Sequence, residues 1–360
     1  MMGVGSMERK TKLINFNELR PGMVIAKNVE QGRQILLKKD FAITNSAIQK
    51  LKRTLFLDRI EVYDDMVTNE DKIERKKIKE YEKIDEDFKE ISTRLQRTFR
   101  LITNPTGSTL NELKEFSERI QNEMRPSSMI IKNIVLQGSG EDSIYRHGVN
   151  VAALSALIGK WIGVEPKDIN RLIYSAILHD FGKTKIDKEI LKKNGALTTS
   201  EFEVIKTHTT LGYKMLKDVS YLDKSVLYGV VMHHEREDGS GYPLSLKGEA
   251  IHQFGKIIAI ADVFDAINSN RGYKKKKPPF EALQIVKNES LGKLNYEYSK
   301  VFIEHIVNYY LGEEAILNSG ERCKIIQMNV NNLEKPLILK KNEFIELTKE
   351  KNLYIEELVL

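Results

Sequence analysis

The sequence predicts a mainly α-helical protein: a helical bundle with a small α/β module and a helical connector before it and a small β-rich extension after it. Between residues 131 and 311, apolar residues recur at helical spacing with short polar joints between the runs. Residues 69–106 are rich in Glu and Lys and contain no glycine, which is typical of a charged amphipathic helix. The two ends of the chain instead show short alternating segments separated by turn residues, which is typical of strands.

The composition is that of a globular protein and excludes several classes. Of the 360 residues, 41% are hydrophobic and 30% are charged, and no run approaches the roughly 18 apolar residues of a membrane span. Cys323 is the only cysteine, which excludes an intrachain disulfide framework and a thiolate metal cluster. The net charge of +6 favours an anionic ligand, but it is spread over alternating Lys and Glu. We expect a cytoplasmic protein that binds neither membranes nor nucleic-acid polymers.

Four segments follow one another along the chain. We place an α/β module at 1–68, a connector at 69–124, the bundle at 125–317 and the extension at 318–360. In the α/β module we expect strands at 23–25, 34–37 and 60–63 and a helix at 45–55. It carries no catalytic constellation, so we assign it a regulatory or packing role.

The connector carries an apolar stripe along an otherwise charged helix. Its members recur at helical spacing: Ile73, Ile78, Tyr81, Ile84, Phe88, Ile91 and Leu95. Nothing chemically distinctive accompanies the stripe, so we expect a structural connector. The stripe is also compatible with a homodimer formed through this helix.

Several helices of the bundle can be bounded from periodicity and end signals. One spans 144–161. A second runs over 171–181, and Gly182 is well placed to end it. A third begins at a capping box of Ser200 and Glu203, and its apolar stripe continues through His208.

Histidines and aspartates are concentrated on the inward faces of these helices. Their positions are His147, His179, His208, His233, His234, Asp180 and Asp262. A single inward histidine is usually an ordinary core residue, but five of the seven in the chain, with two carboxylates that cannot be buried unpaired, exceed that explanation. Because Arg and Lys are scarce on the same faces, divalent cations are the better partners.

This donor set has a definite chemistry. Imidazole with carboxylate suits Fe, Mn, Ni, Co or Zn rather than Ca or Mg. Asp180 follows His179 near the end of its helix, where the helix dipole favours a cation, and a carboxylate there can bridge two ions. Two ions about 3.5–4 Å apart acidify a water and stabilise both oxygens of an in-line phosphoryl displacement. The pattern therefore predicts a dinuclear phosphohydrolase.

With these residues identified, the sequence resembles the HD superfamily of metal-dependent phosphohydrolases. The segment His233-His234-Glu235-Arg236-Glu237-Asp238-Gly239-Ser240-Gly241-Tyr242-Pro243 resembles the signature of its HD-GYP family, which are bacterial phosphodiesterases of cyclic di-GMP. The resemblance covers about residues 125–315. The other matching segments are Tyr145-Arg146-His147, His179-Asp180-Phe181-Gly182-Lys183, His208 with Gly212, 261–266, Arg271 and Lys274.

The resemblance implies a fold of the HD type and a role for each matching residue. One metal ion would be bound by His147, His179, Asp180 and Asp262. The second would be bound by Asp180, as the bridge, with His208, His233 and His234. Phosphate contacts would come from Lys183, Arg271 and Lys274.

Three further residues around the predicted pocket also match. Tyr242 would border the nucleotide, and Asp265 would orient the site by hydrogen bonding or relay a proton. Glu235 would either support the ligands or stabilise the loop, and the sequence does not separate these roles.

One departure from the family pattern bears on the metal count. Some members carry a glutamate four residues before the first histidine that helps to hold a third ion, and Ser143 stands there in this chain. We therefore expect two divalent ions, Fe or Mn. Gly272 stands where proline is common after the arginine, which would loosen the loop that carries Lys274.

Taken as a member of this family, the chain is expected to hydrolyse cyclic di-GMP to pGpG, with GMP as an open second product, by attack of a metal-bridging hydroxide. Two alternatives stay open. One is a phosphodiesterase of another cyclic dinucleotide; the other is a module that senses cyclic di-GMP with little turnover. The resemblance also suggests a protein partner at the loop that carries Gly241-Tyr242-Pro243, here called the GYP loop.

Overall fold

A computed structural model describes most of the chain. The described residues are 11–15, 18–20, 23–31, 34–41, 43, 48, 59–63, 69–102, 107–123, 126–140, 144–193, 195–269, 278–329 and 331–359. The chain divides into two compact units, Met1–Lys79 and Glu80–Leu360. Within the described ranges, no helix is long and apolar enough to cross a membrane.

The described residues of the first unit form two antiparallel strand pairs. β1 (Thr11–Asn15) pairs with β4 (Arg59–Tyr63), and β2 (Val29–Gln31) pairs with β3 (Gln34–Leu37). The expected strands at 34–37 and 60–63 therefore form. The expected strand at 23–25 instead forms only an isolated β-bridge between Ile25 and Val62. The expected helix at 45–55 lies outside the described residues, apart from residue 48.

Helices make up most of the second unit. In chain order they are α1 (Asn69–Leu101), which begins in the first unit, α2 (Gly107–Glu118), α3 (Ser127–Gln137), α4 (Ile144–Trp161), α5 (Pro166–Leu178), α6 (Lys188–Leu191), α7 (Thr199–Lys206), α8 (His208–Leu216), α9 (Lys224–Met232), α10 (Gln253–Asn268), α11 (Pro279–Glu289) and α12 (Tyr296–Tyr310). A π-helical turn lies at Arg119–Glu123, and a 3₁₀ turn at Phe181–Lys185 follows α5. The mainly α-helical fold class is confirmed.

The apolar stripe of α1 is buried within the same chain. Ile84, Phe88, Ile91 and Leu95 are each no more than 2% exposed. They share one hydrophobic core with residues of α4 and α5. These four residues of the stripe are therefore covered without a second copy, whereas Ile78 is half-buried.

The segment before His208 differs from the expectation in two ways. The capping box is formed by Thr198 and Glu201, so the assignment to Ser200 and Glu203 was wrong; Glu203 instead pairs with Lys206. The expected single helix is also two, because α7 ends before Thr207 and α8 starts at His208. The break places His208 at the start of a helix rather than in the middle of one.

A five-stranded antiparallel sheet follows the helices. Its strands are β5 (Glu314–Leu317), β6 (Arg322–Gln327), β7 (Leu337–Lys340), β8 (Glu343–Glu346) and β9 (Ile355–Leu358), arranged in the order β8-β7-β6-β5-β9. β5 begins four residues before the predicted boundary at 318. The inner face of the sheet carries Ala315, Ile325 and Ile338, which belong to the same core as the helices. The small β-rich extension is confirmed and packs on the bundle.

Candidate metal centre

The seven residues predicted as metal ligands come from five neighbouring elements. His147 is on α4, His179 and Asp180 follow α5, His208 starts α8, His233 and His234 follow α9, and Asp262 is on α10. α4 packs against α5 and α10, and α9 packs against α5, α8 and α10. The packing of these elements therefore brings the seven side chains to one place.

Six of the seven form two groups that share a single carboxylate. In each group, the potential ligand atoms all lie within 4.8 Å of one another. The first group is His147, His179 and Asp180, and the second is Asp180, His208, His233 and His234. Asp262 adjoins the first group, with its Oδ1 3.0 Å from His147 Nε2. Asp180 thus occupies the position expected of a bridging ligand.

Backbone carbonyls fix the orientation of three of the imidazoles. The Nδ1 atoms of His179, His208 and His233 lie 2.6, 2.7 and 2.8 Å from the carbonyl oxygens three residues earlier, those of Ala176, Ile205 and Val230. A carbonyl oxygen only accepts, so each Nδ1 must carry the proton. The unprotonated Nε2 of each ring therefore faces the centre, which is the arrangement that outer hydrogen bonds impose on metal-binding histidines.

The inward atoms fit a cation and do not satisfy one another. His208 Nε2 and His233 Nε2 are 3.2 Å apart, and neither can donate to the other. Burial lowers the pKa of His208 to about 4 and also lowers that of His233, so both rings are neutral near pH 7. Asp180 Oδ1 is buried and has no hydrogen-bond partner among the described residues. Facing lone pairs beside an unpaired carboxylate oxygen need positive charge between them.

His147 is oriented by a carboxylate rather than a carbonyl. Its Nδ1 lies 2.7 Å from Asp265 Oδ2, and Asp265 is fully buried. Burial lowers the pKa of His147, but the hydrogen bonds to Asp262 and Asp265 outweigh this and raise it to about 9. A divalent ion bound at His147 Nε2 would replace the proton through which Nε2 now donates a hydrogen bond to Asp262.

Asp180 is held ionised by its surroundings. Burial opposes ionisation, but the positive charge of Lys183 keeps the pKa of Asp180 well below its usual range. Lys183 lies three residues after Asp180, in the 3₁₀ turn, and its Nζ donates to Asp180 Oδ2 at 2.6 Å. An ammonium group is thereby placed at the edge of both ligand groups.

The GYP loop is anchored by Glu235, which is 2% exposed. Its Oε1 accepts from the Leu244 amide at 2.7 Å and its Oε2 from the Leu246 amide at 2.9 Å. The Tyr242 ring consequently lies stacked on His234, with centroids 4.7 Å apart. Gly241 permits this path, because a Cβ there would lie 2.5 Å from the His234 carbonyl oxygen. Glu235 therefore stabilises the loop, the second of the two roles the sequence left open.

Replacing that anchor should loosen the loop. In Glu235→Gln the side-chain NH₂ group would face one of the two backbone N–H groups, those of Leu244 and Leu246, and two donors cannot pair. One of the two charge-assisted hydrogen bonds is therefore lost, at a cost of about 1.5–3 kcal/mol. We expect amide hydrogen exchange at Leu244 and Leu246 to accelerate about tenfold or more. Glu249→Gln, an exposed change in the same region, is the control. Equal exchange rates in the two variants would show that Glu235 does not anchor the loop.

The remaining predicted residues divide into two groups. Tyr242, Lys183 and Asp265 lie at the centre, as described above. Arg271 and Lys274, predicted to contact phosphate, lie outside the described residues, as do Ser143 and Gly272. The sequence analysis missed Asn150, whose Nδ2 donates to Asp265 Oδ1 at 2.7 Å. Its spacing of three residues from His147 on α4 was the available signal.

A helical bundle that gathers imidazoles and carboxylates at its centre has the donor set of a metal-binding protein. A family model described as HD domain matches residues 112–295, just over half of the chain. The chain therefore belongs to the HD domain family, whose members are metal-dependent phosphohydrolases. This confirms the resemblance drawn from the motifs.

Curated relatives share the central part of the chain. A cyclic di-GMP phosphodiesterase of Thermotoga maritima is 40% identical over 164 residues, which are 44% of this chain and 43% of the relative. One of Pseudomonas aeruginosa is 30% identical over 206 residues, 57% of this chain and 50% of the relative. A 3'3'-cGAMP-specific phosphodiesterase of Vibrio cholerae is 33% identical over 189 residues, 52% and 43% of the two chains. The chain spans about half the length of the curated relatives it matches.

One solved structure supports the fold. An HDG"Y"P protein of Bdellovibrio bacteriovorus superposes with a TM-score of 0.53 at 17% identity, over 82% of this chain and 99% of that chain. At this identity the likeness concerns the arrangement of helices alone.

Proposed function

We propose that the chain is a dinuclear-metal phosphodiesterase that hydrolyses cyclic di-GMP. The observation that carries the proposal is the pair of ligand groups sharing Asp180. One carboxylate between two sets of inward Nε2 atoms suits two adjacent cations. Fe and Mn are the proposed ions, since imidazole and carboxylate together suit first-row transition metals.

The chain's own residues would bind and orient the reactants. When bound, two divalent ions supply an acidified water and positive charge for an in-line phosphoryl displacement. Lys183, whose Nζ is 2.6 Å from Asp180 Oδ2, would transfer this hydrogen bond to the scissile phosphate or the leaving oxygen. Asp265 would keep His147 Nε2 directed inward throughout.

The nucleotide would lie beside the GYP loop. Tyr242 is half-buried and stacked on His234, with Lys206 Nζ over its ring 5.7 Å from the centroid, and it would border the guanine base. Arg271 and Lys274 are proposed to bind the phosphates. A protein partner at the GYP loop and a homodimer are also proposed, but neither is needed for the chemistry.

A second candidate substrate is 3'3'-cGAMP. Two of the curated relatives, both from Vibrio cholerae, are 3'3'-cGAMP-specific phosphodiesterases. That molecule presents the same cyclic phosphodiester backbone with one adenine. The same centre would cleave it if the base pocket accepts adenine.

Product analysis tests the proposal. The full chain would be loaded anaerobically with Fe(II), and separately with Mn(II), and incubated with cyclic di-GMP or with 3'3'-cGAMP. We expect metal-dependent pGpG, and any further GMP, from cyclic di-GMP, with both products abolished by EDTA and restored by adding metal. Intact substrates in the presence of two bound ions per chain would overturn the proposal. Calorimetric binding of cyclic di-GMP without cleavage would favour the sensing module instead.

A further inference from the structure

A buried polar chain links helix α1 to the metal ligand His147. Arg146, adjacent to that ligand and 8% exposed, forms an ion pair with Asp85 of α1 at 3.5 Å. Its Nη2 donates to Asn133 Oδ1 at 2.5 Å, and Asn133 Nδ2 donates to Asp85 Oδ1 at 3.1 Å. The guanidinium also lies over the Phe88 ring, 4.5 Å from its centroid. α1 thus contacts Arg146 through both an anion and an aromatic face.

The chain continues from Arg146 to the metal centre. Arg146 Nε donates to Asn150 Oδ1 at 3.1 Å, and Asn150 Nδ2 donates to Asp265 Oδ1 at 2.7 Å. Asp265 Oδ2 then accepts from His147 Nδ1 at 2.7 Å. Asn133, Asn150 and Asp265 are all buried, at no more than 1% exposure. Each link is therefore shielded from water.

The donor and acceptor pattern gives this chain a direction. A guanidinium only donates, so Asn150 must present its oxygen to Arg146 and its NH₂ group to Asp265. Asp265 Oδ1 then accepts from Asn150, and Oδ2 accepts from His147 and from Ser139 Oγ. This fixes His147 with Nε2 facing the proposed ions.

We infer that Arg146 and Asp85 are positioning residues for the metal centre, so that α1 sets the geometry of His147 from outside the site. Asp85 neutralises the buried guanidinium locally. Without that anion, Asp265 becomes the nearest compensating carboxylate, and the guanidinium is drawn toward the group that should orient His147. The inference rests on the proposed metal site and adds α1 to it.

The chain offers a matched control on the same helix. Asp87 of α1 pairs with another buried arginine, Arg119, which also pairs with Glu90 at 2.9 Å and takes no part in the hydrogen-bond chain described above. The side chains of Asp85 and Asp87 are equally shielded, at 14% and 13% exposure. Asp85→Asn and Asp87→Asn therefore each remove one shielded carboxylate from an arginine, and only the first acts on the polar chain.

Mn(II) binding by the metal-free full chain tests the inference, with free Mn(II) followed by electron paramagnetic resonance. Loss of an outer hydrogen-bond partner weakens metal binding about 10–100-fold, so the more distant Asp85→Asn should raise the Kd about threefold to tenfold. Arg146→Lys, which keeps the charge but not the forked donors, should raise it about tenfold. Asp87→Asn should leave it within about twofold of the wild type. Thermal unfolding in EDTA measures the loss of stability separately, and we expect it to be smaller in Asp87→Asn, because Arg119 keeps its ion pair with Glu90.

The outcomes separate this inference from the proposed function. Wild-type affinity in both Asp85→Asn and Arg146→Lys would overturn the inference alone. Equal weakening by Asp85→Asn and Asp87→Asn would also overturn it, because the effect would then be a general loss of packing around α1. Absence of Mn(II) binding in the wild-type chain would overturn the proposed function as well.

Discussion

Asp180→Asn is expected to abolish hydrolysis and to lower the metal content of the protein. Asp180 belongs to both ligand groups, and its Oδ1 is buried without a hydrogen bond. An asparagine amide is neutral and offers one oxygen, so it cannot bridge two cations. Loss of the bridge should remove several kcal/mol of transition-state stabilisation, which corresponds to about a thousandfold or more in rate.

Two measurements on the same preparations test this prediction. Elemental analysis should find fewer ions per chain than in the wild type, and chromatography should find no pGpG above the rate of the metal-free protein. Asp187→Asn is the matched control, because Asp187 caps α6 by accepting from the Glu189 amide and asparagine caps equally well. An Asp180→Asn protein that retains two ions, or that hydrolyses cyclic di-GMP within tenfold of the wild type, would contradict the bridging role.

Helix faces explain why the central residues could be predicted from the sequence. The helix at 144–161 was predicted with its observed bounds, because its apolar stripe is long and regular. A strong stripe also shows which polar residues face inward, and His147 and Asp262 were found in this way. Asp180 could be added because a carboxylate beside an inward histidine near a helix end has few other roles.

Errors arose where a local pattern fits more than one position. Thr198 with Glu201, and Ser200 with Glu203, both satisfy the capping-box spacing, and only the backbone at residue 198 decides between them. The link between Asp85 and Arg146 in the polar chain has no sequence signal. These two residues are far apart in the chain, and the tertiary packing alone brings α1 beside α4.

Gly182 illustrates a role that the sequence suggested wrongly. It was expected to end the helix carrying His179, but α5 ends at Leu178 and Gly182 lies inside the following 3₁₀ turn. Its φ is not among the positive values, so conformational freedom is not what the position requires. A Cβ there would lie 1.9 Å from the His208 carbonyl oxygen and 2.6 Å from the Gly212 amide nitrogen. Glycine is needed because two backbones touch.

Gly182→Ala should therefore destabilise both the fold and the second ligand group. The clash is with backbone atoms, which cannot rotate away as a side chain can, so we expect a cost at or above the usual 1–3 kcal/mol of overpacking, about 3 kcal/mol or more. Relief requires the 3₁₀ turn and α8 to separate. That movement would also increase the distance between Asp180 Oδ1 and His208 Nε2, now 3.3 Å.

Gly292→Ala is the control that isolates the steric effect, since a Cβ at Gly292 would meet nothing within 4 Å. We expect the midpoint of thermal unfolding in EDTA to fall by about 5 °C or more in Gly182→Ala and to change little in Gly292→Ala. Mn(II) titration should show weaker binding by Gly182→Ala than by the wild type, because one ligand group is pulled apart. If Gly182→Ala unfolded and bound Mn(II) like the wild type, the contact between the 3₁₀ turn and α8 could not be what holds Asp180 and His208 together.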